Sequence, residues 1–204
     1  MCSMFLDRDK TLSTCKETNC KECSVSDKLV CHFNSRQLAL FLGMSGVVFI
    51  LAGVFIYLVN TLFLIPWILS CFIYFGFLEI RVMCSHCPHY AEPSLKSLHC
   101  WANYGSPKIW KYRPGPMSFI EKLVFLIGLF WILLYPLGFL LFNKLYVYGS
   151  IYTIALIIWK VLLRVFFCSR CINPACPFNA VKSTVRNDFI EKNPMMKNAW
   201  HSKK

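Results

Sequence analysis

The sequence predicts an all-α integral membrane protein: four transmembrane helices in two hairpins, with a Cys-rich cytosolic metal-binding loop and tail. Three observations predict it. Of 204 residues, 56% are hydrophobic and 16% charged, and the mean hydropathy is +0.49, outside the range of ordinary soluble domains. The apolar residues collect into two blocks, 38–80 and 123–167, each longer than a core helix needs. The 22 Lys and Arg and the 12 Cys lie almost entirely between and outside those blocks.

Residues 1–36 form a polar, Cys-rich arm without an apolar stretch of signal-peptide length, so the first helix is expected to direct insertion. Residues 37–80 are the first transmembrane hairpin. A hydrocarbon core of about 30 Å takes roughly 20 apolar residues per helix, so the block holds two spans, cut at Asn60-Thr61. Residues 81–118 follow as a loop, irregular because Pro93, Pro107, Pro114, Gly115 and Pro116 interrupt it. Ser118 with Glu121 is a capping-box pattern opening the second hairpin, 119–167, which Asn143-Lys144 divides. Pro66 and Pro136 are expected to kink their spans. In the tail, 168–204, Val181, Val185 and Phe189 recur at helical spacing before Asn193-Pro194. Short helices there would lie on anionic headgroups, with Trp200 at the membrane surface, or dock on the protein's own loop. No internal repeat stands out beyond the two-hairpin plan.

Orientation follows from charge. Six Lys and Arg lie in 1–36, six in 81–122 and nine in 160–204, leaving Lys144 alone on the opposite side. The positive-inside rule therefore puts both termini and the loop in the cytosol of a cell or inner membrane. The net charge of +12 then reads as a topogenic signal, not a nucleic-acid surface. Expected partners are the bilayer and a protein on the cytosolic face.

That orientation leaves only Cys71 inside a span. The other cysteines face a reducing compartment, where structural disulfides are disfavoured and metal or thiol chemistry is the default. It also separates the chain from four-helix membrane disulfide oxidoreductases, whose working cysteines need the oxidising side. Cys84-x2-Cys87 directly follows the second span and Cys168-x2-Cys171 the fourth. Two such hooks leaving one membrane face supply four thiolates to a tetrahedral ion, as in zinc ribbons and iron–sulfur sites. Cys100 and Cys176 are further ligands, and His86, His89 and His99 possible ones. In the arm, Cys15, Cys20, Cys23 and Cys31 are close enough in sequence to close around one ion, with His32 as a substitute ligand.

Three motifs resemble known families over short stretches. Cys176-Pro-Phe-Asn-Ala-Val resembles the close of a bacterial ferredoxin cluster motif, but the spacing from Cys168 is C-x2-C-x4-C-P, one ligand short. Cys15-x4-Cys20-x2-Cys23 resembles the core of plant-type [2Fe–2S] ferredoxins, while Cys31 comes too soon for that fold. Four spans with Cys84, Cys87, His99 and Cys100 in the loop resemble the ground plan of membrane S-acyltransferases. The Asp-His-His-Cys of that family is absent, so its activity is not carried over.

Lys160 and Arg164 share a face near the end of the fourth span. With Glu79 at the matching depth of the second, they are candidates for lipid or substrate contact. No histidine lies within a span, which excludes a membrane-held b-type haem, and no common nucleotide or hydrolase motif occurs. The leading expectation is a cytosolic iron–sulfur or zinc module serving membrane-associated electron transfer or acting as a redox accessory subunit. The alternatives are a zinc-stapled structural or assembly protein and a thiol-dependent membrane enzyme. Catalytic residues and oligomeric state are not specified by the sequence.

Overall fold

The computed structural model describes residues 11–20 and 23–202; the start of the arm with Cys2, Lys21-Glu22 and the last two residues lie outside them. All regular elements among the described residues are helical, apart from an isolated bridge between Ser97 and Pro107 in the loop. Four helical stretches are long and apolar enough to cross a membrane: Ser35–Val59, Thr61–His86, Phe119–Phe142 and Tyr146–Arg170.

Helix α1 (Ser35–Val59) starts at Asn34, whose side chain accepts from the Arg36 amide. It stops at Asn60, which turns extended, donates its own amide to the Ile56 carbonyl and accepts from the Leu62 amide. One asparagine thus closes one helix and opens the next. The second span is composite. A 3₁₀ turn (Thr61–Phe63) leads into α2 (Leu64–Ile73), a π turn (Tyr74–Leu78), α3 (Glu79–Val82) and a second 3₁₀ turn (Cys84–His86). Pro66 falls in the first turn of α2, where its missing N–H costs no intrahelical bond; the mid-span irregularity is instead the π turn.

A short α4 (Pro88–Ala91) follows, then the loop, then α5 (Phe119–Phe142). The capping box at its start is present in full: Glu121 N–H donates to Ser118 Oγ, and Ser118 N–H to Glu121 Oε2. Asn143 ends α5, and Lys144, at φ 59°, makes the left-handed residue of the turn into α6 (Tyr146–Phe166).

Helix α1 packs on α5 and α6, and α5 also packs on the second span. Among the described residues, the backbones of the second span and α6 make no close approach. So α1 and α5 are the inner pair, buried over 22% and 28% of their spanning windows against 11% for each outer helix. Pro136 lies inside α5 and lacks the N–H that would pair with the Ile132 carbonyl. Buried Trp67 fills the gap: its indole Nε1 donates to that carbonyl at 3.0 Å. Tyr152 Oη donates to the next carbonyl, Leu133, at 3.0 Å. Both outer helices are fastened to α5 by side-chain donors, which a hydrocarbon environment demands.

The tail forms α7 (Ser183–Glu191) and α8 (Pro194–His201). Their apolar side is covered by the protein's own arm: Val181, Phe189, Ile190 and Met196 are buried with Leu12, Val25 and Leu29. The expected cover for a docked tail is the loop; the structure puts the arm there instead, and the loop is met at Trp200. Polar ties back this packing: Lys16 N–H to Lys192 O (2.9 Å), Thr14 Oγ1 to Asn193 Oδ1 (2.7 Å), Lys192 Nζ to Glu17 Oε1 (2.8 Å). Half-buried Trp200 donates to the Pro114 carbonyl at 3.0 Å, joining tail to loop.

Candidate functional site

The two hooks have the same local construction. Each outer helix ends on one residue of irregular backbone, Met83 (φ −120°, ψ −54°) or Phe167 (−118°, −56°). A 3₁₀ turn of sequence Cys-Ser-x follows, and the second cysteine is extended, Cys87 at −81°, 138° and Cys171 at −75°, 129°. Even the serines behave alike: Ser85 Oγ donates to the Arg81 carbonyl and Ser169 Oγ to Val165, four residues back. Two further resemblances lie in the outer helices, one residue out of register with the hooks. Asn60 precedes Arg81 by the same interval as Asn143 precedes Arg164, and Ser70 and Thr153 at corresponding positions donate to the carbonyls of Pro66 and Gly149. The two hooks are thus alike in local construction, within the two-hairpin plan read from the sequence.

The hooks meet over the bundle although the backbones of their helices stay apart. Asn173 Nδ2, just past the second hook, donates to the Met83 carbonyl ahead of the first, at 3.3 Å. Between them lies a cavity of about 70 Å³. It is lined by Cys84, Cys87, Cys100, Cys168, Cys171, Cys176 and His89, with Leu98, Trp101 and Ile172 among its apolar walls. A water-sized sphere occupies roughly 10–15 Å³ of such space, so several fit. A second cavity, about 530 Å³ and more open, is lined by the arm residues Cys15, Cys20, Cys23, Cys31 and His32. Cys20 Sγ lies 3.9 Å from His32 Nε2. Apolar packing joins the two: Cys87 shares one buried cluster with Leu29, Ile172 and the arm cysteines 15, 23 and 31.

The histidines divide accordingly. His89 lines the inner cavity and His32 the outer. His86 is directed to the loop, where Nδ1 donates to the Gly115 carbonyl at 2.7 Å and Nε2 faces Glu121 at 3.5 Å. His99 sits edge-on between Phe33 and Tyr104. Lys160 and Arg164 are exposed on the outside of α6. Glu79 is buried elsewhere, accepting from Asn103 Nδ2 at 3.4 Å, so the three do not form a common site.

All cysteines named here are free thiols. Burial pushes the Cys87 and Cys171 thiols well above the usual range, Cys176 to about 12, and Cys100 upward. Working against burial, nearby backbone N–H groups lower these thiols: His89 for Cys87, Asn173 for Cys171, Phe178 for Cys176, and Ala102 for Cys100, the last a hydrogen bond of 3.3 Å. Each donor belongs to the residue two places after its cysteine. Asn103 Nδ2 adds a donor to Cys84 Sγ at 3.1 Å. A thiol is a weak acceptor, whereas a thiolate bound to a metal gains from every such donor. Burial, with nearby His32, Lys108 and His99, lowers His89 to about 4, so its imidazole is neutral and able to ligate. In the arm, Cys31 is raised to about 12 by burial, with the neighbouring thiols adding to it.

Among the described residues, no three Cys, His, Asp or Glu side chains stand in ligating geometry about a single point. The residues nonetheless fit a soft metal in donor chemistry: six thiols, one neutral imidazole and N–H donors to Cys84 and Cys100 sulfur. Asn103 and the amide donors were not among the expected site residues. No known protein family, curated protein or solved structure matches the chain.

Proposed function

We propose that this chain is an integral membrane protein whose cytosolic face is a cysteine-ligated metal module. In this reading the metal staples loop 81–118 and tail 168–204 over the bundle, and the arm, 1–36, completes a platform for a protein partner. The carrying observation is that six thiols from three separate chain segments surround one small cavity, with N–H donors directed at their sulfurs. Cys84, Cys87, Cys168 and Cys171 are the principal ligands; Cys100, Cys176 and His89 complete the set. The orientation, both termini cytosolic, is supported by the concentration of Lys and Arg on that side of the helices. When bound, zinc would supply folding energy and fixed geometry.

Iron in the same ligands, serving membrane-associated electron transfer, is the second reading. It is favoured by an aromatic run that starts at the cavity wall: Trp101 lies 4.9 Å from Phe167 and 5.2 Å from Phe41 of α1, ring centre to ring centre. A thiol-dependent enzyme is less well supported, because burial raises Cys100 instead of activating it.

Metal analysis and an absorption spectrum of the full chain, prepared anaerobically in detergent, test these readings. Stoichiometric zinc in colourless protein that unfolds with chelator supports the staple. Iron with charge-transfer bands supports electron transfer. Protein that folds fully without either metal overturns both.

A further inference from the structure

Where the second span leaves the bundle and α5 enters it, positive charge exceeds what the nearby acid can answer. Arg81 and residues 108–122 carry five cations and one carboxylate, Glu121. That carboxylate is already engaged: Oε1 accepts from Arg113 Nη1, and Oε2 from the Ser118 amide and hydroxyl. Arg81 Nη1 and His86 Nε2 also face it, at 3.6 and 3.5 Å, yet both are buried atoms left without a hydrogen bond. Lys111 and Lys122, next to this network in sequence, are exposed. The outside of the same corner is apolar, because the loop comes back to the helix ends here. Arg113 N–H donates to the Ser85 carbonyl at 2.8 Å, Trp110 N–H to Tyr90 Oη at 2.6 Å, and Arg81 Cζ lies over the Trp110 ring at 5.6 Å. Ile109 and Trp110 are nevertheless 54% and 39% exposed, and Phe119 and Ile120, which open α5, are 78% and 70% exposed. In water such a loop gains nothing by presenting Ile and Trp, whereas at headgroup level Trp is a preferred anchor and Ile reaches the acyl chains.

We propose that this corner is a binding site for an anionic phospholipid of the adjoining leaflet. Cations beside exposed apolar side chains match a phosphate ester that carries hydrocarbon tails. Lys111, Lys122 and Arg81, whose side chain is 41% exposed, hold the phosphate. Ile109, Trp110, Phe119 and Ile120 lie along the acyl chains. Arg113 has a different part: its guanidinium is engaged by Glu121, Ser85 Oγ and the Arg81 carbonyl, so it fixes the loop against the two helix ends. The site is separate from Lys160 and Arg164, which are exposed on α6. It needs the spanning helices and is independent of any metal at the cysteines.

Native mass spectrometry of the full chain in detergent, titrated with phosphatidylglycerol or with phosphatidylcholine, tests the assignment. Phosphatidylglycerol should form a one-to-one adduct more tightly than phosphatidylcholine. Lys111→Gln and Lys122→Gln alter exposed side chains and should each weaken that adduct about fivefold, the effect of one cation near an anionic headgroup. Ile109→Ser should weaken it with the charge unchanged. A Lys160→Gln/Arg164→Gln double variant, which removes two cations near the same end of the helices, should leave it intact. Glycerol 3-phosphate, which has the phosphate without the chains, should not displace the lipid. Equal binding of the two lipids, or unchanged affinity in the Lys111 and Lys122 variants, overturns the proposal. An equal loss in the α6 double variant reduces the effect to general charge and overturns it too. Displacement by glycerol 3-phosphate makes the site one for a soluble phosphate and overturns the lipid assignment.

Discussion

Trp67→Phe isolates one hydrogen bond in the bundle and has a built-in control. The indole Nε1 donates to the Ile132 carbonyl at 3.0 Å, with Trp67 6% exposed. That carbonyl lacks its helical partner because residue 136 is proline. Phenylalanine keeps most of the ring's packing but strands the acceptor where no water reaches it. An unsatisfied buried polar group costs about 1–3 kcal/mol, and hydrogen bonds between spanning helices average about 0.6 kcal/mol with a maximum of about 1.7. Together these place the loss at about 1–2 kcal/mol. In the Pro136→Ala background the backbone N–H restored at that position satisfies the Ile132 carbonyl, so the cost of Trp67→Phe should shrink by most of that amount. A double-mutant cycle on reversible unfolding in detergent–SDS mixtures reads the coupling. A coupling below about 0.3 kcal/mol, within the additivity expected of independent sites, refutes the reasoning.

A Cβ at Gly128 would stand 2.4 Å from the ring of buried Tyr74, whose hydroxyl is held by the Phe125 carbonyl. Gly128→Ala should therefore cost about 1–3 kcal/mol, while Gly138→Ala, with nothing within 4 Å, should cost far less in the same unfolding assay. Asn103→Leu removes the donor to Cys84 Sγ and strands Glu79. Chelator competition should show metal affinity reduced roughly 10–100-fold, the usual effect of losing such a supporting group. The Glu17–Lys192 bridge lowers the Glu17 carboxyl and raises the Lys192 amine. Its contribution to arm docking is complete above the unfolded glutamate value, roughly 4.3, and is lost as pH falls through the lowered folded value; at the alkaline end it is lost as pH rises through the raised lysine value. The Lys16 amide, bonded to the Lys192 carbonyl, should report this as a chemical shift that is flat between those limits and moves beyond them. A shift that moves near neutral pH would contradict it.

The helix ends were the most legible part of the sequence. Asn60, Asn143 and the Ser118/Glu121 box act through local hydrogen bonds, so residue type and position sufficed to place them. The gathering of hook cysteines at one face followed from spacing alone. Other features depend on which surfaces meet. The π turn at Tyr74–Leu78 and the pairing of Trp67 with the carbonyl freed by Pro136 are tertiary outcomes. The tail's periodicity was visible, yet its cover, the arm, is remote in sequence. Four histidines near the cysteines looked equivalent as letters. Loop packing separates His89 and His32, at the cavities, from His86 on Gly115 and His99 against Phe33 and Tyr104. The likeness of the two hook turns lay in their shared Cys-Ser-x-Cys letters, but their common backbone became evident only in three dimensions.

X-ray absorption at the metal edge of the native protein tests the central claim most directly. Cysteine ligation from the inner cavity gives a first shell dominated by sulfur at about 2.3 Å if the metal is zinc. A shell of oxygen and nitrogen only would contradict it, as would a sulfur shell that survives replacement of Cys84, Cys87, Cys168 and Cys171 by serine in a chain whose arm cysteines 15, 20, 23 and 31 are already serine.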